Sequence, residues 1–178
     1  MPEYVWTVFL DRDGVLNRKA PEGDYIKTWS EFSWIPGSVK ALRVLHQAGL
    51  RVLITTNQQG IAKSLMTTAD LEDIHRHLEA EVMRAGGRID GIYVCPHLAG
   101  TCDCRKPGTG LFLQAQGDFP DLSFERSVVI GDSASDIEAG RRVGARTIRI
   151  AQSDDELTAR SLLDAAERLI LPWVSSEK

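Results

Sequence analysis

Short aliphatic segments alternate with amphipathic ones along most of the chain, and this alternation restricts the fold more than any other feature. Candidate strands cover residues 5–10, 51–55, 91–95, 127–130 and 147–150, each short and mostly apolar. Candidate helices cover 38–47, 68–84, 109–116, 135–143 and 156–171. Strands that read as continuous apolar runs are covered by helices on both faces, so the expected class is α/β with a doubly wound parallel sheet. Leu71, Ile74, Leu78 and Val82 recur at helical spacing and form a core-facing stripe, after a start signalled by Thr67, Thr68 and Asp70. Gly49, Gly86, Gly117 and Gly144 stand where helix C-terminal caps belong. Residues 17–35 have no period and are rich in Pro, Gly and charge, so a long loop, with or without a hairpin, is expected near the sheet edge.

A chain of 178 residues, 43% hydrophobic, suits one domain spanning 1–178 with a full core. Its apolar stretches fall far short of the roughly 20 residues of a membrane helix, and Met1, Pro2 and Glu3 open no basic-then-apolar leader. The expectation is a soluble, cytoplasmic monomer without a membrane partner. A net charge of -4 lacks the basic footprint of a nucleic-acid binder, so no nucleic-acid partner is expected. The 3 cysteines all lie between Cys95 and Cys104, which excludes a disulfide scaffold and points to a metal or redox site.

In doubly wound sheets ligands bind beyond the carboxyl ends of the strands. The first candidate strand is followed by Asp11, Arg12, Asp13 and Gly14, the second by Thr56 and Asn57, and the fourth by Gly131, Asp132 and then Asp136. Two aspartates one residue apart suit a nucleophile, Asp11, and a proton donor and acceptor, Asp13. Oxygen ligands such as Asp11, Asp132 and the Asp13 carbonyl suit Mg²⁺, which would neutralise the crowded carboxylates. Thr56 and Lys106 would hold the phosphoryl oxygens. In isolation, the first of these fragments reads equally well as a surface turn with two solvated aspartates. Cys95, His97, Cys102 and Cys104 fit a closed tetrahedral Zn²⁺ site, the alternative being a Cys102 to Cys104 redox pair. A structural Zn²⁺ here would pin the loop just before Arg105 and Lys106.

Taken in order, Phe9 to Gly14, Thr55 to Asn57, Arg105 to Pro107 and Gly131 to Asp136 resemble the four motifs of the haloacid dehalogenase-like phosphohydrolase superfamily. The resemblance implies a Rossmann-like fold without a large cap, an aspartyl-phosphate on Asp11, acid and base work by Asp13, phosphate binding by Thr56 and Lys106, and Mg²⁺ on Asp132 with Asp136 behind it. The cysteine loop places the chain beside the zinc-loop branch of that family. There the implied partner is a small phosphorylated metabolite: a heptose 1,7-bisphosphate losing its 7-phosphate, or alternatively histidinol phosphate. Rivals of another class are a phosphotransferase or mutase and a non-catalytic zinc-binding module. The resemblance assigns substrate contacts to Gly23, Asp24 and Tyr25, to Asn57 and Gln58, and to Arg105. Ser133 stands where relatives often carry a basic residue, so Arg18, Lys19 or Lys63 is a candidate to replace it. His46, His75 and His77 are read as solvated helix histidines, and the four tryptophans as packing residues.

Overall fold

The computed structural model describes residues 5–152 and 158–176. Its centre is a six-stranded sheet. In chain order the strands are β1 (Thr7–Leu10), β2 (Arg51–Asn57), β3 (Gly91–Cys95), β4 (Ser127–Gly131), β5 (Arg146–Ile150) and β6 (Thr158–Ala159). The spatial order is β3-β2-β1-β4-β5-β6 and every pairing is parallel. Helices α1 (Ser38–Gln47), α2 (Thr68–Arg84), α3 (Gly110–Asp118) and α4 (Ala134–Val143) connect the strands. The winding direction reverses at β1, whose neighbours are β2 and β4, and such a switch point opens a crevice at the strand ends.

Successive strand residues feed two cores, as the two-residue period of a strand requires. Val8, Leu10, Val52, Ile54, Val128 and Ile130 bury with α1 on one face. Phe9, Leu53 and Val129 bury with Phe112 of α3 and Ala139 of α4 on the other.

Several boundaries differ from the sequence expectation. β2 continues to Asn57 because its pairing with β3 runs on to Asn57 opposite Cys95, which sets the cysteine loop beside the second motif. Gly49, Gly86 and Gly144 have positive φ as C-terminal caps should, whereas Gly117 lies inside α3, which runs on to Asp118. Residues 17–35 hold a 3₁₀ turn, Trp29–Glu31, and a single antiparallel bridge between Asn17 and Trp34 rather than a hairpin of strands. The loop's ends are tied together by Arg18 N to Ser33 O (2.8 Å) and Ile35 N to Leu16 O (2.9 Å).

The helix expected over 156–171 is replaced in part by β6; residues 156 and 157 lie outside the described residues. Thr158 and Ala159 pair with Arg149 and Ile150, covering an edge that β5 would otherwise expose. Helix α5 (Leu162–Ala165) follows, capped by Ser161, then a π-helical turn, Ala166–Ile170, and α6 (Leu171–Ser176). That turn comes just before Pro172, whose missing N–H removes one bond from the helical ladder. Among the described residues no helix is long and apolar enough to cross a membrane.

Candidate active site

Asp11 leaves β1 with its N–H still bonded to Ile130 O of β4 (2.9 Å), so its side chain starts at the switch-point crevice. Asp132 enters from the end of β4, and Asp136 from the first turn of α4. One carboxylate oxygen from each of the three lies within 4.8 Å of the others. Two glycines make this approach possible. A Cβ on Gly14, whose φ is +94°, would overlap the Asp132 carboxylate and the Lys19 stem; a Cβ on Gly131 would overlap Asp136.

Lys106 is buried at the bottom of the crevice. Its Nζ reaches Asp136 Oδ1 at 2.6 Å and Asp11 Oδ1 at 2.9 Å, and donates to Thr55 O at 2.6 Å. Burial alone would push the ammonium pKa down, but Asp11 and Asp136 hold it above its ordinary value. Burial pushes Asp11 up to about 7; Lys106 opposes that rise, and Asp136 and Asp13 add to it. Asp136 has no free oxygen. Its Oδ2 accepts from Ser133 Oγ (2.6 Å) and Ser133 N (3.2 Å) in the capping box of α4, so it stands behind Lys106 as a brace. Ser133 is thus the helix cap, and Lys19 reaches the next residue back, with Nζ 2.5 Å from Asp132 Oδ2.

The Asp13 carboxylate is not one of that cluster and has its own set of partners. It accepts from Arg12 Nη2 (2.9 and 3.1 Å), Asn17 Nδ2 (2.8 Å) and Gln58 Nε2 (2.8 Å). Burial acts to raise its pKa, but the Arg12 charge and these hydrogen bonds outweigh burial and hold the group below the usual carboxylate value. Gln58 Nε2 also donates to Thr56 Oγ1 (2.9 Å), linking the second motif to Asp13. Asn57 and Lys106 pair reciprocally: Asn57 Nδ2 donates to Lys106 O (3.2 Å), and Lys106 N to Asn57 Oδ1 (3.1 Å). The amide groups of Asn57 therefore position the lysine, a role the sequence did not disclose.

The remaining substrate candidates lie further out. Gly23 and Asp24 are exposed, and Asp24 is bonded to Lys27 Nζ (2.6 Å). Tyr25 packs over Gly60, with Lys63 Nζ 5.5 Å from its ring centre. Arg105 is half-buried, and its Nη1 has no hydrogen-bond partner among the described residues.

Cys95, His97, Cys102 and Cys104 converge as expected, each offering a ligand atom within 4.8 Å of the rest. Neighbouring separations are 3.5 Å for Cys95–Cys102, 3.4 Å for Cys102–Cys104, 3.7 Å for Cys95–His97 and 3.1 Å for His97–Cys104. A tetrahedron with Zn–S bonds of about 2.3 Å has edges of roughly 3.5–3.8 Å, so the donors would take the ion with His97 and Cys104 opening by a few tenths of an ångström. Burial and the neighbouring thiols push Cys104 up to about 12, and a divalent cation is the charge that would hold these sulfurs as thiolates. The acidic group suits a hard cation: Asp132 Oδ1 is buried without a hydrogen-bond partner among the described residues and Asp11 lies beside it, while Lys106 and Ser133 engage both oxygens of Asp136.

Sequence reasoning misplaced one residue. His75 is buried, and its Nε2 lies 3.2 Å from Arg12 Nη1; burial and the Arg12 charge lower its pKa to about 3. His75 lies four residues after Leu71, on the core stripe, whereas His77 faces outward and stacks on Trp29 at 5.3 Å. Arg12 was also missed as a partner. It lies in the bend after β1, fully buried, with its guanidinium between Asp13 and His75.

A parallel sheet with three converging carboxylates and a buried lysine at its switch point is an arrangement suited to phosphoryl-transfer hydrolysis. A HAD-hydrolase-like family model matches residues 103–169. D-glycero-alpha-D-manno-heptose-1,7-bisphosphate 7-phosphatase of Mycobacterium tuberculosis is 45% identical over 141 residues, covering 79% of this chain and 74% of that protein. D-glycero-beta-D-manno-heptose-1,7-bisphosphate 7-phosphatase of Rhodopseudomonas palustris is 38% identical over 168 residues, 90% of this chain and 91% of that one. The crystal structure of D,D-heptose 1,7-bisphosphate phosphatase from B. bronchiseptica, complexed with magnesium and phosphate, superposes with a TM-score of 0.84. It is 29% identical and covers 98% of this chain and 100% of that chain. The chain belongs to the haloacid dehalogenase-like hydrolase family.

Proposed function

We propose that this phosphatase removes the 7-phosphate of a D-glycero-D-manno-heptose 1,7-bisphosphate by way of an aspartyl-phosphate on Asp11. The observation that carries the substrate is the 38% identity to the Rhodopseudomonas palustris heptose enzyme across 90% of this chain. Mg²⁺ on Asp11 and Asp132 would neutralise the carboxylates and the charge that grows on the phosphoryl oxygens.

The chain's own residues account for the rest. Asp11 Oδ attacks phosphorus in line, and the bond from phosphorus to the sugar oxygen breaks. Asp13 gives that oxygen its proton. The negative charge of the incoming phosphate opposes the pull of Arg12 on Asp13 and so favours the protonated form this step requires. Asp13, ionised again, takes a proton from water as the water attacks the phosphorus of the aspartyl-phosphate, which frees Asp11 and inorganic phosphate. Lys106 and the Thr56 hydroxyl hold the phosphoryl oxygens, and Asp136 and Asn57 keep Lys106 in place. Zn²⁺ on Cys95, His97, Cys102 and Cys104 would fix the segment that delivers Arg105 and Lys106.

The Mycobacterium tuberculosis relative is named for the α-anomer and the Rhodopseudomonas palustris relative for the β-anomer, so the test assays the α- and β-bisphosphates beside histidinol phosphate. A kcat/KM for a heptose substrate at least about 100-fold above that for histidinol phosphate, a difference of roughly 2.7 kcal/mol, supports the reading. The reverse preference overturns it.

A further inference from the structure

We propose that His75 is a positioning residue for proton transfer, fixing through Arg12 the orientation of the Asp13 carboxylate. The inference rests on the reading of Asp13 as the acid and base of the reaction.

Arg12 is fully buried, and its Nη2 spans both oxygens of Asp13 at 2.9 and 3.1 Å. Asn17 and Gln58 each bond one oxygen of Asp13 and carry no charge, so Arg12 is the cation that sets the plane of the carboxylate. The guanidinium needs a second anchor to keep from pivoting. Its Nε has no hydrogen-bond partner among the described residues, while Nη1 meets His75 Nε2 at 3.2 Å. His75 is held by α2, where Leu71, Ile74 and Leu78 are buried beside it. The core face of α2 thereby reaches the first motif through one bond, from 63 residues along the chain. With Nε2 accepting from Arg12, Nη2 stays on Asp13. Without that acceptor Nη1 is left unpaired, the guanidinium turns toward other oxygens, and Asp13 loses its alignment with the leaving oxygen. Misalignment of a proton donor matters most when the leaving group is a poor one.

That dependence gives a test which a purely structural role would not pass. For the full-length enzyme, kcat/KM is compared for heptose 1,7-bisphosphate, whose sugar alkoxide needs a proton to leave, and for p-nitrophenyl phosphate, whose phenolate leaves without one. The ratio reports the phosphoryl-transfer step and is blind to the later hydrolysis. His75→Leu is expected to lower the sugar-phosphate value about 30-fold and the aryl value less than about 3-fold. His75→Gln, which offers an acceptor at the same reach, is expected to recover most of the loss. His75→Asn, too short to reach Arg12, serves in place of the Leu variant if that one does not fold.

Asp13→Asn separates the two readings. If it fails to penalise the sugar phosphate more than the aryl phosphate, the role of Asp13 falls and the inference with it. If Asp13→Asn shows that bias but the His75 variants lower both substrates equally, or change neither, the role of Asp13 stands and His75 is only a packing partner of Arg12.

Discussion

Lys106 Nζ sits 2.9 Å from Asp11 Oδ1, a buried ammonium in direct contact with the carboxylate proposed to attack phosphorus. Asp136 holds the same nitrogen from the other side at 2.6 Å. Asp136 and Thr55 O thus fix the lysine before substrate arrives, and it need only exchange its Asp11 contact for a phosphoryl oxygen as Asp11 bonds to phosphorus. Lys106→Met should reduce kcat/KM by about 10²–10³. Lys106→Arg should not restore it, because the planar guanidinium is larger than an ammonium and cannot sit among Asp11, Asp136 and Thr55 O. Steady-state kinetics of the two variants checks this, and full recovery in the arginine variant would count against a site shaped for a point charge.

The pH dependence of stability follows from Asp11. Its pKa of about 7 in the folded chain, raised by burial, exceeds the ordinary 3.8. Between those values the folded state binds more protons than the unfolded one, so this group's contribution weakens folding as pH rises through the window. In magnesium-free buffer, Asp11→Asn should match the wild-type melting temperature near about pH 4 and exceed it near about pH 8. Added Mg²⁺ should narrow the gap by stabilising only the wild type. Calorimetry at the two pH values measures both effects.

Gly14 lets the first motif close over Asp132. Gly14→Ala places a Cβ into the Asp132 carboxylate at a backbone φ of +94°. The displaced ligand should raise the Mg²⁺ concentration needed for half-maximal activity by about 10-fold or more. A Mg²⁺ titration of activity reads this, and an unchanged midpoint would remove Asp132 from the metal site.

The cysteine loop predicts a stoichiometry. Elemental analysis should find one Zn²⁺ per chain, and Cys102→Ser should lose it together with several degrees of melting temperature. Activity should then fall because Arg105 and Lys106 follow directly on the loop. A variant that loses zinc yet keeps both its melting temperature and kcat/KM would show that the ion does not fix that segment.

The strands, their parallel pairing and the convergence of Asp11, Asp132 and the cysteine loop were legible because continuous apolar runs mark strands covered on both faces, helices keep a 3.6-residue period, and ligands gather beyond strand ends. β6 was not: two residues pairing with the edge of β5 leave no period to read. Within the site, sequence spacing located the charged groups but not their partners. Nothing local to Asp136 says that it braces a lysine 30 positions earlier, and nothing local to His75 says that it meets Arg12; both pairings exist only after α2 and α4 pack on the sheet. Arg12 left no signal either, since it lies in a bend beyond the end of β1, where the two-residue alternation no longer applies.

The central claim is that Asp11 carries the phosphoryl group. Turnover of ³²P-labelled heptose bisphosphate should be stopped in acid within the first catalytic cycle, and the chain digested and mapped. The account predicts hydroxylamine-labile label on the peptide containing Asp11, absent from Asp11→Asn, with retention of configuration at phosphorus overall. Label on another residue, or no label together with inversion at phosphorus, would contradict it.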